Sequence, residues 1–177
     1  MPRLIAALLL VTLAGCAGAP DPVTAFRDTA TPIYSNAVLD PARLEGTWRQ
    51  VGTFASGGGT SGGNRCDGGQ VRFGAPQGGR LPVMADLCLD GLRQAFRGEA
   101  AVTAPGRFVL AGAKGALAEP WWVLWADHDN RSLVIGTPSG RMGFILDRSA
   151  EMPGDRITAA REILDWNGYA LSGLRMF

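Results

Sequence analysis

The sequence predicts an all-β fold, an antiparallel up-and-down barrel or a sandwich, with a single helix near its C-terminus. Three observations carry this. From Gly46 onward, eight short runs rich in β-branched and aromatic residues recur every ten or so positions. Turn residues separate them, and the 177-residue chain holds 25 glycines and 11 prolines, a share that suits turns and bulges but stays below that of low-complexity chains. Helical spacing is confined to one stretch near the end. The length supports one packed domain.

The runs cover residues 47–55, 69–73, 81–89, 92–102, 107–110, 121–126, 132–137 and 142–146. Turn chemistry links them at 103–106 (Thr-Ala-Pro-Gly), 127–130 (Asp-His-Asp-Asn) and 138–140 (Pro-Ser-Gly). Evenly spaced strands with short links are the pattern of a barrel or sandwich. After Met152-Pro153-Gly154, Ile157, Ala160, Ile163 and Leu164 recur on one helical face, with Asp155 placed to cap the helix and Asn167-Gly168 to stop it. Residues 169–177 are apolar enough for a short strand or extended segment against the body. Residues 56–63 read Ser-Gly-Gly-Gly-Thr-Ser-Gly-Gly, a flexible hairpin insertion or a gate over a cavity mouth. No Lys-Ser/Thr follows, so this run is not a phosphate-binding loop.

The N-terminus reads as an address. Arg3, an apolar run over 4–13 and the small Ala14-Gly15 form a short secretory signal. That run is about half of the roughly 20 residues a membrane-spanning helix needs. Leu13-Ala14-Gly15-Cys16 resembles the lipobox of bacterial lipoproteins. The resemblance implies that residues 1–15 are a signal peptide, that Cys16 is lipidated, and that residues 16–40 are a lipidated tether to a domain over 41–177. Ala17, where an aspartate would retain the protein in the inner membrane, implies a lipid-anchored place at the bacterial outer membrane.

Charge narrows the partners. The chain has 17 Lys+Arg against 16 Asp+Glu, and loss of Arg3 with the signal leaves 16 of each. No basic surplus is available for nucleic acid, and no general attraction to an anionic bilayer. Attachment then depends on acyl chains at Cys16, each buried methylene contributing about 0.8 kcal/mol. With Cys16 so used, Cys66 and Cys88 remain as an even pair in an oxidising compartment, where a disulfide is expected. Free thiols or metal ligands are the alternatives, but His128 is the sole histidine and no Cys-x-x-Cys is present. No metal or cofactor is expected.

Four further motifs carry a family resemblance. Gly46-Thr47-Trp48, after Asp40-Pro41-Ala42-Arg43-Leu44-Glu45 and before Val51 and Phe54, is similar to the opening signature of lipocalins. Pro120-Trp121-Trp122-Val123-Leu124-Trp125-Ala126-Asp127 resembles their sixth-strand segment, and Gly143-Phe144-Ile145-Leu146-Asp147-Arg148 their eighth-strand motif. Gly168-Tyr169-Ala170-Leu171-Ser172 is similar to the segment after the helix in bacterial lipocalins. Residues 49 and 50 are Arg and Gln where close bacterial relatives usually have Tyr and Glu. The resemblance implies an eight-stranded antiparallel up-and-down barrel with one C-terminal helix packed outside. It also implies that Arg148 stacks on Trp48 to close the barrel floor.

Period two then assigns the wall. If Arg148 points inward, so do Leu146, Phe144 and Met142, while Trp121, Val123 and Trp125 share one side of their strand. The expected ligand pocket is Trp121, Val123, Trp125, Met142 and Phe144, with Phe54 and Phe73. The same side chains filling the barrel solidly is the alternative. Arg72, Arg93 or Arg97 would pair with a ligand carboxylate or phosphate near the mouth, or be solvated. His128, Asp127 and Asp129 lie in a turn and suit capping rather than acid–base work, so no catalytic residue is expected and the protein is read as a non-enzyme. The resemblance implies binding, storage or transport of a lysophospholipid, fatty acid or similar lipid in the envelope. The rival is a protein-binding barrel, for example a hydrolase inhibitor.

Overall fold

A computed structural model describes residues 25–56 and 66–177. The expectations for residues 1–15, Cys16 and most of the Gly-rich run fall outside them. Eight strands close a barrel: β1 (Gly46–Phe54), β2 (Gly69–Phe73), β3 (Arg80–Leu89), β4 (Leu92–Ala104), β5 (Arg107–Leu110), β6 (Trp121–Ala126), β7 (Ser132–Gly136) and β8 (Gly143–Asp147). Each pairs antiparallel with its neighbour in sequence, and β1 pairs with both β2 and β8 to complete the ring. The β2–β3, β4–β5 and β6–β7 links therefore lie at one end, the floor. The β3–β4, β5–β6 and β7–β8 links lie at the other, the upper end.

Helix α1 (Gly154–Trp166) packs outside β6 and β7 through Ala160 and Leu164. Asp155 does not cap it: Pro153 holds the cap position with no side-chain hydrogen bond, and Asp155 lies in the first turn, where its charge still favours the helix dipole. Asn167 and Gly168, at φ +82°, end the helix. Strand β9 (Leu174–Met176) then pairs with Gly52, Thr53 and Phe54. It takes the edge of β1 that β2 leaves free beyond the Gln50–Gly69 pair.

The expected tether over 16–40 is too long at its C-terminal side. Phe26 and Leu39 are buried, and backbone bonds run from Phe26 N–H to Gly140 O (2.7 Å), Asp28 N–H to Gly168 O (2.8 Å) and Asn36 N–H to Val123 O (2.7 Å). This segment descends the outside of the barrel from the upper end to the floor. Buried apolar side chains and paired amides make it part of the domain, which scattered Pro, Asp and Thr did not reveal.

Two apolar layers result. The inner one fills the barrel with Trp48, Val71, Phe73, Leu81, Trp121, Phe144 and their neighbours. The outer one packs Phe54, Ile145, Tyr169 and the strand faces of β6–β8 against α1 and β9. Tyr169 seats on the outer wall where two glycines, Gly136 and Gly143, pair across β7 and β8. A Cβ on Gly136 would stand 2.7 Å from the Tyr169 hydroxyl, and one on Gly143 2.9 Å from its ring.

Candidate functional site

The site offered by this architecture is the barrel interior. Its floor is built first. Asp40 caps the 3-10 turn Pro41–Leu44 through the Ala42 N–H (2.9 Å), and this turn crosses the barrel end. Trp48, the third residue of β1, donates its indole N–H to Leu44 O (2.7 Å). The Arg148 guanidinium carbon lies 3.7 Å from the Trp48 ring centroid, while its nitrogens donate to Thr47 O (3.3 Å) and Arg43 O (3.1 Å). Burial lowers the Arg148 pKa from its ordinary value, yet a guanidinium remains charged at any working pH.

The wall above is apolar. Phe73, Trp121, Val123, Met142 and Phe144 point inward, each under 5 % exposed, and Trp121 meets Phe144 edge-on at 5.1 Å. Phe54 and Trp125, also expected there, lie in the outer layer instead. The cause is the same in both strands. β1 shifts register between Gln50 and Gly52, and β6 between Val123 and Trp125. Each bulge inserts one residue, Val51 or Leu124, and every later side chain changes face. Thr53 therefore points inward and Phe54 outward.

The interior holds two features that sequence reasoning missed. Gln50 is buried inside and spans the place where β3 lacks a strand partner. Its amide donates to Cys88 O and its oxygen accepts from Cys88 N–H, both at 2.8 Å. Two residues beyond Trp48, it was findable by alternation alone. The Leu117 side chain, from the 3-10 turn Gly115–Ala118 in the β5–β6 link, inserts into the core from the upper end. No periodicity marks it. Cys66 and Cys88 are joined by a disulfide beside Gln50.

Electrostatically the inside is quiet: among the described residues the buried charged side chains, Arg27, Asp127 and Asp147, bond to loops or to Arg156 of α1 outside the barrel. Among the described residues, one buried side-chain polar atom lacks a hydrogen-bond partner, the indole Nε1 of Trp121. His128 is exposed, and Asp127 accepts from the Arg131 and Ser132 N–H groups (2.5 and 2.6 Å) as a turn cap. Among the described residues no three His, Cys, Asp or Glu side chains are placed to hold a metal. Arg72 and Arg97 lie on the outer wall away from the mouth, and Arg93, next to Leu92 at the upper end, faces outward. Arg72 and Arg97 flank Met84 in a groove of about 500 Å³, and Arg93 pairs with Asp86 at 2.9 Å.

A closed eight-stranded barrel with Gly-x-Trp opening its first strand and an arginine stacked over that tryptophan sets the comparison with known proteins. The family model described as a lipocalin-like domain matches residues 39–177. The chain belongs to the lipocalin family. This lipocalin shares its fold with the siderocalin Ex-FABP, described as functioning through dual ligand specificities (TM-score 0.57, 14 % identity, 76 % of this chain and 93 % of that one). Lobster apocrustacyanin A1 is similar at TM-score 0.53 and 12 % identity, covering 76 % of each chain. Apocrustacyanin C2 gives 0.54 and 12 %, covering 77 % and 78 %. A comparison with curated proteins gives no match. At these identities the structural likeness speaks to the fold alone.

Proposed function

We propose that this lipocalin binds and carries a small amphiphile, a lysophospholipid, fatty acid or similar lipid, in the bacterial cell envelope. On this reading it is held at the outer membrane by acyl chains on Cys16 and performs no catalysis. The observation that carries the reading is the uncharged inner wall with one unspent donor, Trp121 Nε1. An acyl chain removing about 350 Å² of apolar surface from water gains roughly 9 kcal/mol, which is micromolar binding. A polar ligand atom accepting from Trp121 would add a hydrogen bond that the empty protein forgoes.

Wall side chains under 5 % exposed leave a ligand to make its own room. The route of least resistance is the upper end. Above Ala100, β4 is paired on one edge only, and the β5–β6 link with Leu117 closes that side. Withdrawing Leu117 and Met142 opens the interior without breaking the ring below. Affinity is then reduced by the fraction of molecules already open.

The test is native mass spectrometry of the purified protein for copurified lipid, followed by tryptophan-fluorescence titration with lysophospholipids and fatty acids. Bound lipid and a saturable change at micromolar concentration are expected. Absence of both overturns the carrier reading. Intact-mass analysis of the peptide beginning at Cys16 tests the anchor separately.

A further inference from the structure

We propose that the upper end of the barrel rests on a zwitterionic lipid bilayer, with Trp166 and Tyr34 in the headgroup layer and the Trp48–Arg148 floor turned away. The proposal rests on the anchor at Cys16 and supplies what that anchor leaves open, the orientation of the domain.

Two independent observations meet at one place. The first is exposure. Trp166, the last residue of α1, is 82 % exposed and Tyr34 is 69 % exposed, while Trp48 and Trp121 are buried and Trp122 and Trp125 half-buried. Both exposed aromatics adjoin Asn167, whose Oδ1 accepts from the Tyr34 N–H at 3.0 Å. Leu92, at 64 %, projects from the β3–β4 turn at the same end. Val38, a lone aliphatic, lies nearer the floor. Tryptophan and tyrosine combine an apolar body with a polar tip and partition to the membrane–water boundary.

The second is where the chain joins the fold. Phe26 bonds to Gly140 in the β7–β8 link and accepts from the Ala170 N–H (2.8 Å), while Asp28 bonds to Gly168. Arg27, 6 % exposed, fastens the joint by donating to Asn167 O (2.9 Å), Pro138 O (2.6 Å) and Thr31 O. The N-terminal segment is thus fixed beside the residues that follow Trp166. Nine residue steps from Cys16 to Ala25 span at most about 30 Å. The far end of α1, at the floor, is about 20 Å further along the helix axis. The chain that carries Cys16 therefore joins the fold at the Trp166 end, and a lipid on it meets that end before the floor.

The local charge asks for no anionic lipid. Around this end the exposed acids Asp28, Glu162 and Asp165 are balanced by Lys114, Arg141 and the half-buried Arg161, so no net charge draws it to an anionic surface and phosphatidylcholine or phosphatidylethanolamine headgroups suffice. The orientation also brings the Leu117 link, the place where the proposed ligand would enter, toward the phase where such a ligand dissolves.

The test uses the mature lipidated protein in phosphatidylcholine vesicles with and without brominated acyl chains, compared with Trp166→Phe. Brominated lipid is expected to quench the wild type at least twofold more than the variant, and acrylamide access to Trp166 to fall severalfold on vesicles. Equal quenching in both proteins, with Trp166 still open to acrylamide, overturns the proposal. So does shielding of Trp166 before vesicles are added, which would mean that residues 17–24 cover it. If intact mass shows no acylation, the anchor fails alone. Coupling the Cys16 thiol to a maleimide lipid then repeats the quenching measurement on its own terms.

Discussion

The inner and outer layers of the wall use the same residue types and are finished differently. Phe144 and Ile145 are successive residues of β8, both fully buried, one facing the barrel axis and the other α1. In the outer layer the polar atoms are spent. The Tyr169 hydroxyl accepts from the Thr137 N–H and donates to Met142 O, each at 2.8 Å, and its ring rests on the Gly136–Gly143 pair. In the inner layer the Trp121 N–H has no partner. The outer layer is a finished joint between barrel and helix, and the inner one retains a donor for something else.

The largest expected effect breaks the comparison at β8. Phe144→Ala and Ile145→Ala should each cost about 3–5 kcal/mol in chemical denaturation, from lost burial plus the cavity left behind. Lysophospholipid should raise the melting temperature of both variants by linkage, and that of Phe144→Ala by several degrees more, because its cavity lies where the acyl chain would bind. Equal rescue of both would erase the distinction between the layers.

Reducing the Cys66–Cys88 disulfide, 22 residues apart, should remove roughly 3 kcal/mol by freeing the unfolded chain. The check is a melting curve with and without reductant. An unchanged curve, after both thiols are shown to be reduced, would assign the joint at Cys88 to Gln50 alone.

Tyr169 gives a pH signature to the outer layer. Burial pushes its pKa up to about 12 from the ordinary 10. The folded state therefore keeps the proton that the unfolded chain releases. Its stabilising contribution is complete below pH 10 and is lost as pH rises through 10 to 12, by about 2–3 kcal/mol in all. Denaturation at pH 9 and 11 should show this decline, and Tyr169→Phe should lose it. The smallest effect is at the floor, where Arg148→Met should cost about 0.5–2 kcal/mol through the lost cation–π contact with Trp48, read as a fall in denaturation midpoint.

The strands were legible because alternation and turn residues repeat eight times, and the connectors at 103–106, 127–130 and 138–140 join the pairs expected. The inward set was legible only as far as alternation ran unbroken. The bulge at Leu124 falls in a stretch apolar on both faces, Trp121 to Ala126, and the one at Val51 falls among Gln50, Gly52 and Thr53, which mark neither face, so an inserted residue left no trace in the pattern. Phe54 and Trp125 were misplaced for that reason alone. The packed segment from Phe26 to Leu39 was hidden because hydrogen bonds from its backbone, rather than a periodic side-chain face, bind much of it to the barrel. Leu117 was hidden because a single apolar residue in a short link has no period.

The central claim is that ligand enters the inner layer and leaves the outer one alone. Methyl NMR of the protein titrated with lysophospholipid separates them directly. The account predicts shifts at Leu117, Val123, Leu133 and Leu146, inside, and none at Leu124, Val134 and Leu164, outside. Shifts confined to the outer set, or no shift in either at saturating lipid, would contradict it.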